Sequence, residues 1–460
     1  MEIKEICLTN VGGFESLSMS LAPTDENSSN ITVLVGNNGA GKTTILKSLA
    51  TALSWWVARL RSEKGNGNPL PEEVIRNNAL SALVDIKLQD DNWFAPTGQV
   101  DADESLFQWS IAKIRKGRKS GHSSHLIDAS RLAELYRQAL STNERSNLPL
   151  IAFYPVERVV IDIPLKIRDK HSFLQLDGYD NSLNQGVDFR RFFEWFRERE
   201  DSENESGISQ EIFEKLSSLL ANDNVIWEKL SYLKASARDR QLTAVRTAIS
   251  SFMPGFNNLR VRRKPRLHMS VDKNGETLNV AQLSQGEKSL IALVGDIARR
   301  LAMMNPSLEN PLHGDGIILI DEVDLHLHPQ WQRALISRLA NTFPNCQFVL
   351  TTHSPLVISD PKEVLVYLLN DGDLSEVFDL YGQDANSVLL EVMDTDIRNK
   401  DVEKALNDLR DAVQAERIDD ANRLMSELEI VLPASHIELA KARLLLTKVE
   451  LRRAQNHQRK

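Results

Sequence analysis

Short runs of largely apolar residues recur along the chain, and most are followed at once by polar or glycine residues. They lie at residues 31–35, 149–154, 317–320 and 347–350. A continuous apolar run of this length is typical of a strand that is buried on both faces of a parallel sheet. Ligands of open α/β sheets bind at the carboxyl ends of such strands, so we expect the residues that follow these runs to form the functional site.

In other segments the apolar residues recur at every second position, as in a strand, or at helical spacing. The segments 2–9 and 17–21 are predicted to be two strands, and the alternation of apolar and polar residues at 82–88 and 107–111 predicts an antiparallel β-subdomain. Residues 186–251 are mostly helical in pattern, with a second apolar face at 212–220, and form an inserted lobe. The aromatic residues from Phe189 to Phe196 lie at helical spacing, which favours a core over a platform for stacked bases.

Composition narrows the class of protein. The chain has 460 residues, of which 42% are hydrophobic and 26% charged, as in ordinary globular proteins. Cys7 and Cys346 are too few and too far apart for a disulfide framework or a CxxC metal motif, and no apolar run approaches the roughly 18 residues that cross a bilayer. We therefore expect a cytoplasmic protein that does not enter the membrane. A net charge of −9 argues against nucleic-acid binding over the whole surface but allows a local basic groove.

The first chemical motif follows the apolar run at 31–35 and opens a helical segment. It reads Gly36-Asn37-Asn38-Gly39-Ala40-Gly41-Lys42-Thr43-Thr44. Glycines let backbone N–H groups surround an anion, and the helix N-terminus adds its positive end. Lys42 would contact the β- and γ-phosphates and Thr43 would bind Mg²⁺. The alternative, a glycine-rich turn without a ligand, is disfavoured by the flanking strand and helix, so the sequence predicts a nucleotide site.

Carboxylates and a histidine follow two of the other apolar runs. Asp321 and Glu322 come directly after residues 317–320, and His353 closes the segment that begins at 347. Asp321 and Glu322 alone could be a solvated pair, but a phosphate-binding loop upstream favours a catalytic role. His326 and His328 could be read as metal ligands; because no third ligand and no helical spacing accompany them, we expect none.

Two basic clusters leave their roles open. One contains Lys113, Arg115, Lys116, Arg118 and Lys119. The other contains Arg260, Arg262, Arg263, Lys264 and Arg266, ahead of a turn at Asn274-Gly275. Each is either a solvated loop or strand edge, or a surface that meets a nucleic-acid backbone or a partner.

These motifs, with Leu283-Ser284-Gln285-Gly286-Glu287 at the start of an apolar helix, resemble the ABC-class ATPases, in the branch of the SMC and RecF proteins and the OLD-like ATPases. The resemblance covers about residues 1–380 and implies ATP and Mg²⁺ as cofactors. It makes Lys42, Glu322 and His353 the catalytic residues, with Glu322 as general base and His353 as the switch histidine. Asp321 joins Thr43 as a Mg²⁺ ligand.

The segment 283–287 resembles the ABC signature, which binds ATP held by a second subunit. Ser284, Gln285, Gly286 and the D-loop residue Asp324 would therefore contact nucleotide across an interface. This implies a head-to-tail homodimer with two composite sites, and a higher oligomer built from it. The match departs at the Q-loop, because the candidate strand ends Tyr154-Pro155-Val156-Glu157-Arg158 without a glutamine.

Together, pattern and resemblance predict an α/β fold, an ABC-type P-loop ATPase with an antiparallel β-subdomain, an inserted helical lobe and a C-terminal helical extension. Residues 1–185 would hold the P-loop and β-subdomain, and 186–255 the lobe. Residues 256–385 would hold the signature, the Walker B aspartate Asp321 with the general base Glu322, the D-loop and the switch histidine. The helical residues 386–460 would serve oligomerisation or partner docking, or simply cap the core.

Three phrases, at 325–332, 351–355 and 381–387, resemble the ATPase subunits of bacterial antiphage systems, in particular the PtuA family of Septu, which also occurs in some retron systems. The resemblance implies a slow ATPase that regulates a separate PtuB-like HNH nuclease, with a reverse transcriptase and its RNA and DNA in the retron case. The residues after His353 look helical, so we expect no nuclease in this chain. A RecF-like DNA-repair ATPase and a nucleotide-sensing scaffold with little turnover remain alternatives.

Overall fold

The structure, a computed structural model, describes residues 1–92, 105–119, 121–156, 173–184, 189–206, 238–370, 372–433 and 435–458. The chain forms two compact units, Met1–Ala385 and Asn386–Lys460. The predicted apolar face at 212–220 and the residues Glu157 and Arg158 at the Q-loop position lie outside the described residues.

The strands and helices follow the apolar periodicities closely. The strands are β1 (Glu2–Val11), β2 (Phe14–Ser20), β3 (Ile31–Gly36), β4 (Ser81–Gln89), β5 (Leu106–Ile114), β6 (Leu150–Tyr154), β7 (Phe256–Arg262), β8 (His268–Lys273), β9 (Glu276–Asn279), β10 (Gly316–Ile320), β11 (Cys346–Thr351), β12 (Leu365–Asn370) and β13 (Asp373–Val377). The helices, numbered here in chain order, are α1 (Lys42–Arg61), α2 (Ile127–Thr142), α3 (Phe189–Ser206), α4 (Arg240–Phe252), α5 (Gln285–Met304), α6 (Pro329–Thr342), α7 (Pro355–Ser359), α8 (Ala385–Glu391), α9 (Lys400–Gln414), α10 (Ile418–Val431) and α11 (Ile437–Gln458).

The main sheet has the order β13-β12-β3-β11-β10-β6 and is parallel except for its edge strand β13. Every residue of β6, β10 and β11 is buried, which explains their continuous apolar sequence. Ile320 pairs with Leu350 on one side and Tyr154 on the other, so these strands end at one edge of the sheet. Helix α1 packs against β3, β6, β10 and β11. The predicted α/β fold with a buried parallel sheet is confirmed.

A second sheet, of order β2-β1-β4-β5, is antiparallel throughout. Ile6 of β1 pairs with Met19 of β2 and Ile86 of β4, and all three side chains are buried. Trp109 of β5 donates its indole N–H to the carbonyl oxygen of Ala52 in α1, over 3.0 Å. The predicted antiparallel β-subdomain is therefore present, and this hydrogen bond ties it to the helix that follows the phosphate-binding loop.

The described part of the inserted lobe consists of α3 and α4, next to the antiparallel sheet β7-β8-β9. Phe189, Phe192, Phe193 and Phe196 are at most 1% exposed, so these aromatic residues pack inside the protein rather than forming a stacking surface. Glu200 of α3 accepts hydrogen bonds from the backbone N–H of Val261 and from Arg246, each over 2.9 Å. This buried carboxylate fixes the lobe to strand β7.

The second unit contains its own small core. Helices α9, α10 and α11 bury a cluster that includes Leu409, Ala421, Leu428 and Leu439. Large apolar side chains are nevertheless exposed on the same helices: Ile430, Val431, Ile437, Leu444, Leu445 and Leu451. In the described part of the chain, no helix combines the length and the apolar character needed to cross a bilayer.

Candidate functional site

The loop between β3 and α1 has the backbone that phosphate binding requires. Gly36, Gly39 and Gly41 have φ values of 145°, 85° and 105°, in the region that favours glycine. A Cβ atom on Gly36 would lie 2.2 Å from the carbonyl oxygen of Leu369, and one on Gly41 would lie 2.5 Å from the Phe14 ring. Helix α1 has no side-chain cap and no acidic residue in its first turn. Its positive N-terminus is thus left for an anionic ligand.

Lys42 places its ammonium group inside this loop. The side chain is 6% exposed, and Nζ donates to the carbonyl oxygens of Gly36 and Asn37 over 2.8 and 3.0 Å. Burial lowers the pKa of Lys42, while the carboxylates of Asp321, Glu322 and Asp324 act in the opposite direction. The ammonium therefore lies between the loop and the carboxylates at the end of β10, where a triphosphate would meet both.

Asp321 and Thr43 form the candidate Mg²⁺ site. Thr43 Oγ1 donates to Asp321 Oδ2 over 2.8 Å, although 278 residues separate them in sequence. Two adjacent hard oxygens suit Mg²⁺, which prefers oxygen ligands and takes few of them from protein. The donor set therefore fits this ion, and these two residues would hold it.

Glu322 follows Asp321 with a strained backbone. Its φ is 44°, and its N–H donates to Thr351 Oγ1 over 2.7 Å. Thr351 Oγ1 in turn donates to Asp321 Oδ1 over 2.6 Å. Asp324, farther along the same loop, accepts a hydrogen bond from Thr352 Oγ1. The buried threonines at the end of β11 thus orient the acidic loop, a role that we did not infer from the sequence.

His353 lies one residue beyond these threonines and is exposed. Desolvation at the sheet edge and then the nearby Lys42 ammonium lower the pKa of His353, with Glu322, Asp324 and Asp321 opposing them. The imidazole is therefore neutral at neutral pH and within electrostatic reach of the whole cluster. The structure brings together Lys42, Thr43, Asp321, Glu322, Asp324 and His353, which the sequence placed on separate segments.

The signature-like segment occupies a different, exposed position. Ser284 and Gln285 are exposed at the start of α5, and Ser284 is its N-cap residue. Gly286 packs so closely on the loop after β10 that a Cβ atom would lie 2.4 Å from the carbonyl oxygen of His326. Segment 284–286 and the loop that carries Asp324 are therefore in close backbone contact within one protomer.

His326 and His328 lie in the loop between β10 and α6. His326 has a φ of 64°, and its carbonyl oxygen makes the contact with Gly286. His328 is the N-cap of α6, and its Nδ1 accepts a hydrogen bond from the N–H of Gln330 over 3.3 Å. Within the described residues, no group of three or more His, Cys, Asp or Glu side chains is arranged to hold a metal ion.

Comparison with known proteins identifies the family of the chain. Residues 31–359 match the family described as "AAA domain, putative AbiEii toxin, Type IV TA system". The chain belongs to this family. A relative from Vibrio cholerae serotype O1 biovar El Tor, named "Retron Vc95 probable ATPase", is 34% identical over 85% of this chain and 79% of its own length. The predicted ABC-class P-loop ATPase of antiphage type is thus confirmed at the level of family.

Two further similarities are more limited. The "Septu protein PtuA" of Bacillus mycoides (strain KBAB4) is 44% identical over 91 residues, which are 19% of this chain and 12% of that protein. An SMC head bound to the C-winged helix domain of ScpA superposes with a TM-score of 0.43 at 14% identity, over 82% of this chain and 98% of that one. The short match to PtuA agrees with the antiphage resemblance that the sequence motifs carry.

Proposed function

We propose that the protein hydrolyses ATP to ADP and phosphate, slowly and with Mg²⁺. The observation that carries the proposal is the hydrogen bond from Thr43 to Asp321, because it joins the phosphate-binding loop to the acidic end of β10. Lys42 binds the β- and γ-phosphates and neutralises charge that develops during transfer. Thr43 and Asp321 would hold Mg²⁺, which would supply polarisation of the phosphate oxygens.

In this proposal Glu322 is the general base. It orients the attacking water and takes its proton. The Thr351 hydroxyl, which accepts from the N–H of Glu322 and donates to Asp321, keeps the carboxylate loop in one conformation. His353, neutral at neutral pH, donates a hydrogen bond to the γ-phosphate. Two variants test these roles. Lys42→Ala should weaken nucleotide binding, and Glu322→Gln should bind ATP but fail to turn it over. Normal turnover by Glu322→Gln would contradict the role of general base.

We further propose that two protomers close head to tail and complete each other's site. Ser284 and Gln285 are exposed, and the contact of Gly286 with His326 makes the signature and the D-loop one continuous surface. Such a surface could contact the ATP that a second protomer binds at its own Lys42. In this arrangement Ser284 and Asp324 act across the interface, and ATP stabilises the dimer and any higher oligomer.

Mixing two inactive variants tests the composite site. Glu322→Gln lacks the base and Ser284→Ala lacks the signature hydroxyl, so neither homodimer contains an intact site. A mixed dimer contains one, made from the Glu322 of one chain and the Ser284 of the other. With random exchange, mixing should restore about a quarter of wild-type turnover. If Ser284 acts within its own chain, mixing will restore nothing.

The biological role that we propose is antiphage defence in the bacterial cytoplasm, with ATP closure regulating a separate HNH nuclease of PtuB type. The support is the similarity to the retron-encoded relative and to PtuA. The exposed apolar residues of the second unit, such as Ile430 (85%), Ile437 (68%) and Leu444 (74%), are the surface that we assign to docking or oligomerisation. Affinity purification from the native operon should recover the nuclease and, in a retron, the reverse transcriptase with its RNA and DNA. Efficient DNA cleavage by the purified chain alone would contradict a separate nuclease.

One observation favours direct contact with nucleic acid within that complex. Arg262 at the end of β7 is exposed, as are Arg263, Lys264 and Arg266 in the turn that leads to β8. In the other basic cluster Lys116, Arg118 and Lys119 are exposed as well, but Arg115 donates to the carbonyl oxygens of Ala79, Ile75 and Arg76, which is a structural role. Replacing Arg262 and Arg266 by glutamate should weaken DNA binding and lower its salt dependence. The matched changes at Lys113 and Lys116 should have less effect.

A further inference from the structure

The signature serine is held by a reciprocal pair of hydrogen bonds. Ser284 Oγ accepts from the backbone N–H of Glu287 over 3.3 Å, and Glu287 Oε2 accepts from the backbone N–H of Ser284 over 3.0 Å. A hydroxyl whose oxygen already accepts from within the protein still has its proton to donate. This capping box therefore leaves Ser284 prepared to donate outward, as a contact with a phosphate oxygen requires.

The same capping box creates an electrostatic conflict. Glu287 carries its negative charge in the first turn of α5, close to Ser284. A carboxylate there competes with any incoming anion for the positive end of the helix and repels it directly. A γ-phosphate brought to Ser284 by a second protomer would meet this charge.

Lys273 removes the conflict. Its Nζ lies 2.8 Å from Glu287 Oε1, the oxygen that the capping box does not use. Burial alone would raise the pKa of Glu287, but the hydrogen bonds from Lys273 and from Ser284 hold it below its ordinary value. The carboxylate thus stays charged, and the lysine ammonium compensates that charge.

The lysine is itself positioned by the small sheet. Lys273 is the last residue of β8, where it pairs with Phe256 of β7 and Glu276 of β9. Its ammonium lies 5.6 Å from the centre of the Phe256 ring, which adds a cation–π contact. The side chains of Met269 and Val271 on the same strand are completely buried and anchor it in the core. Lys273 is therefore presented to Glu287 from a fixed strand.

We infer that Lys273 is a positioning residue for the contact made across the dimer: it neutralises Glu287 and fixes the capping box, so that the N-terminus of α5 can receive a γ-phosphate held by another copy of this chain. The inference rests on the proposed composite site. It adds strand β8, which lies outside the ATP motifs, to the machinery of closure. It also makes closure depend on the charge balance at residues 273 and 287.

A charge-rescue experiment tests the inference. Lys273→Met keeps the aliphatic stem on Phe256 and removes the charge; adding Glu287→Gln removes the opposing charge while glutamine still completes a capping box. Both are made in the Glu322→Gln background, and ATP-dependent dimerisation is followed by light scattering. We expect Lys273→Met to need about tenfold more ATP for half-maximal dimerisation, and the added Glu287→Gln to recover most of that loss.

Each outcome bears on one claim. ATP binding by the protomer at Lys42 should not change in either variant, which separates closure from nucleotide affinity. The inference would be overturned if Lys273→Met dimerised at the same ATP concentration as the Glu322→Gln parent. It would also be overturned if adding Glu287→Gln did not restore dimerisation of Lys273→Met. The mixing of Glu322→Gln with Ser284→Ala reports separately on the composite site. If mixing restores turnover while Lys273→Met closes normally, only the role of Lys273 is wrong.

Discussion

Thr351 Oγ1 donates a hydrogen bond to Asp321 Oδ1 over 2.6 Å, between the ends of two neighbouring parallel strands. The same hydroxyl oxygen accepts the backbone N–H of Glu322 over 2.7 Å. One buried side chain therefore fixes both the residue assigned to Mg²⁺ and the residue assigned to proton transfer. Because the hydroxyl of Thr351 has no exposure to solvent, neither bond can be replaced readily by water.

Thr351→Val should impair hydrolysis much more than nucleotide binding. Valine keeps the shape of the side chain but cannot bond to Asp321 or to the N–H of Glu322, and leaving such buried groups unpaired costs about 1–3 kcal/mol. Single-turnover hydrolysis should fall by roughly 10- to 100-fold, with a smaller change in ATP affinity. Thr351→Ser, which keeps the hydroxyl, is the matched control. Equal rates for the valine and serine variants would show that the hydroxyl does not orient the site.

The sequence predicted the edge of the sheet but not this bond. Continuous apolar runs identified β3, β10 and β11, and parallel strands end at a common edge, so Lys42, Asp321 and His353 could be expected to meet. Which threonine faces which carboxylate depends on strand order and register. In this sheet, the register of β10 with β11 pairs Ile320 with Leu350. A single sequence does not carry that information, because many registers would satisfy the same apolar pattern.

The contact between Gly286 and His326 shows the same limit. The two residues lie on different segments of the chain. The signature motif alone gives no reason why position 286 should be a glycine. The structure gives the reason, because a Cβ atom on residue 286 would lie 2.4 Å from the His326 carbonyl oxygen. The close approach of two backbones, rather than turn geometry, requires glycine here.

Gly286→Ala should therefore separate the signature from the D-loop. The added methyl group forces the loop around His326 to move, so ATP-dependent dimerisation and turnover should fall, while ATP binding by a protomer at Lys42 should persist. Light scattering and equilibrium nucleotide binding measure the two effects. Gly121→Ala is the control, since nothing lies within 4 Å of a Cβ atom there. Unchanged dimerisation of Gly286→Ala would mean that this backbone contact is not needed for closure.

A buried ionic network lies on the same helix, α5, and should contribute strongly to stability. Asp296 of α5 accepts hydrogen bonds from Arg299 and Arg300 over 2.7 Å each and from the Tyr154 hydroxyl over 3.0 Å. Asp296→Asn would leave two buried guanidinium groups without their counter-charge, which costs about 3–5 kcal/mol. The urea midpoint should fall accordingly. Glu427→Gln, in an exposed pair with Arg423, is the control and should change it little. A similar midpoint for both variants would contradict the importance of the network.

The charge state of His353 gives the final prediction. Desolvation and the Lys42 ammonium lower its pKa, because protonation would add a second positive charge near the first. Removing Lys42 should therefore raise the pKa of His353, since only desolvation then opposes the carboxylates of Glu322, Asp324 and Asp321. NMR titration of the ligand-free protein should show His353 titrating below 6.5 in the wild type and higher in Lys42→Met. His353→Asn identifies the resonance. A pKa that falls or stays constant in Lys42→Met would mean that the two side chains do not sense each other, and would remove His353 from the phosphate site.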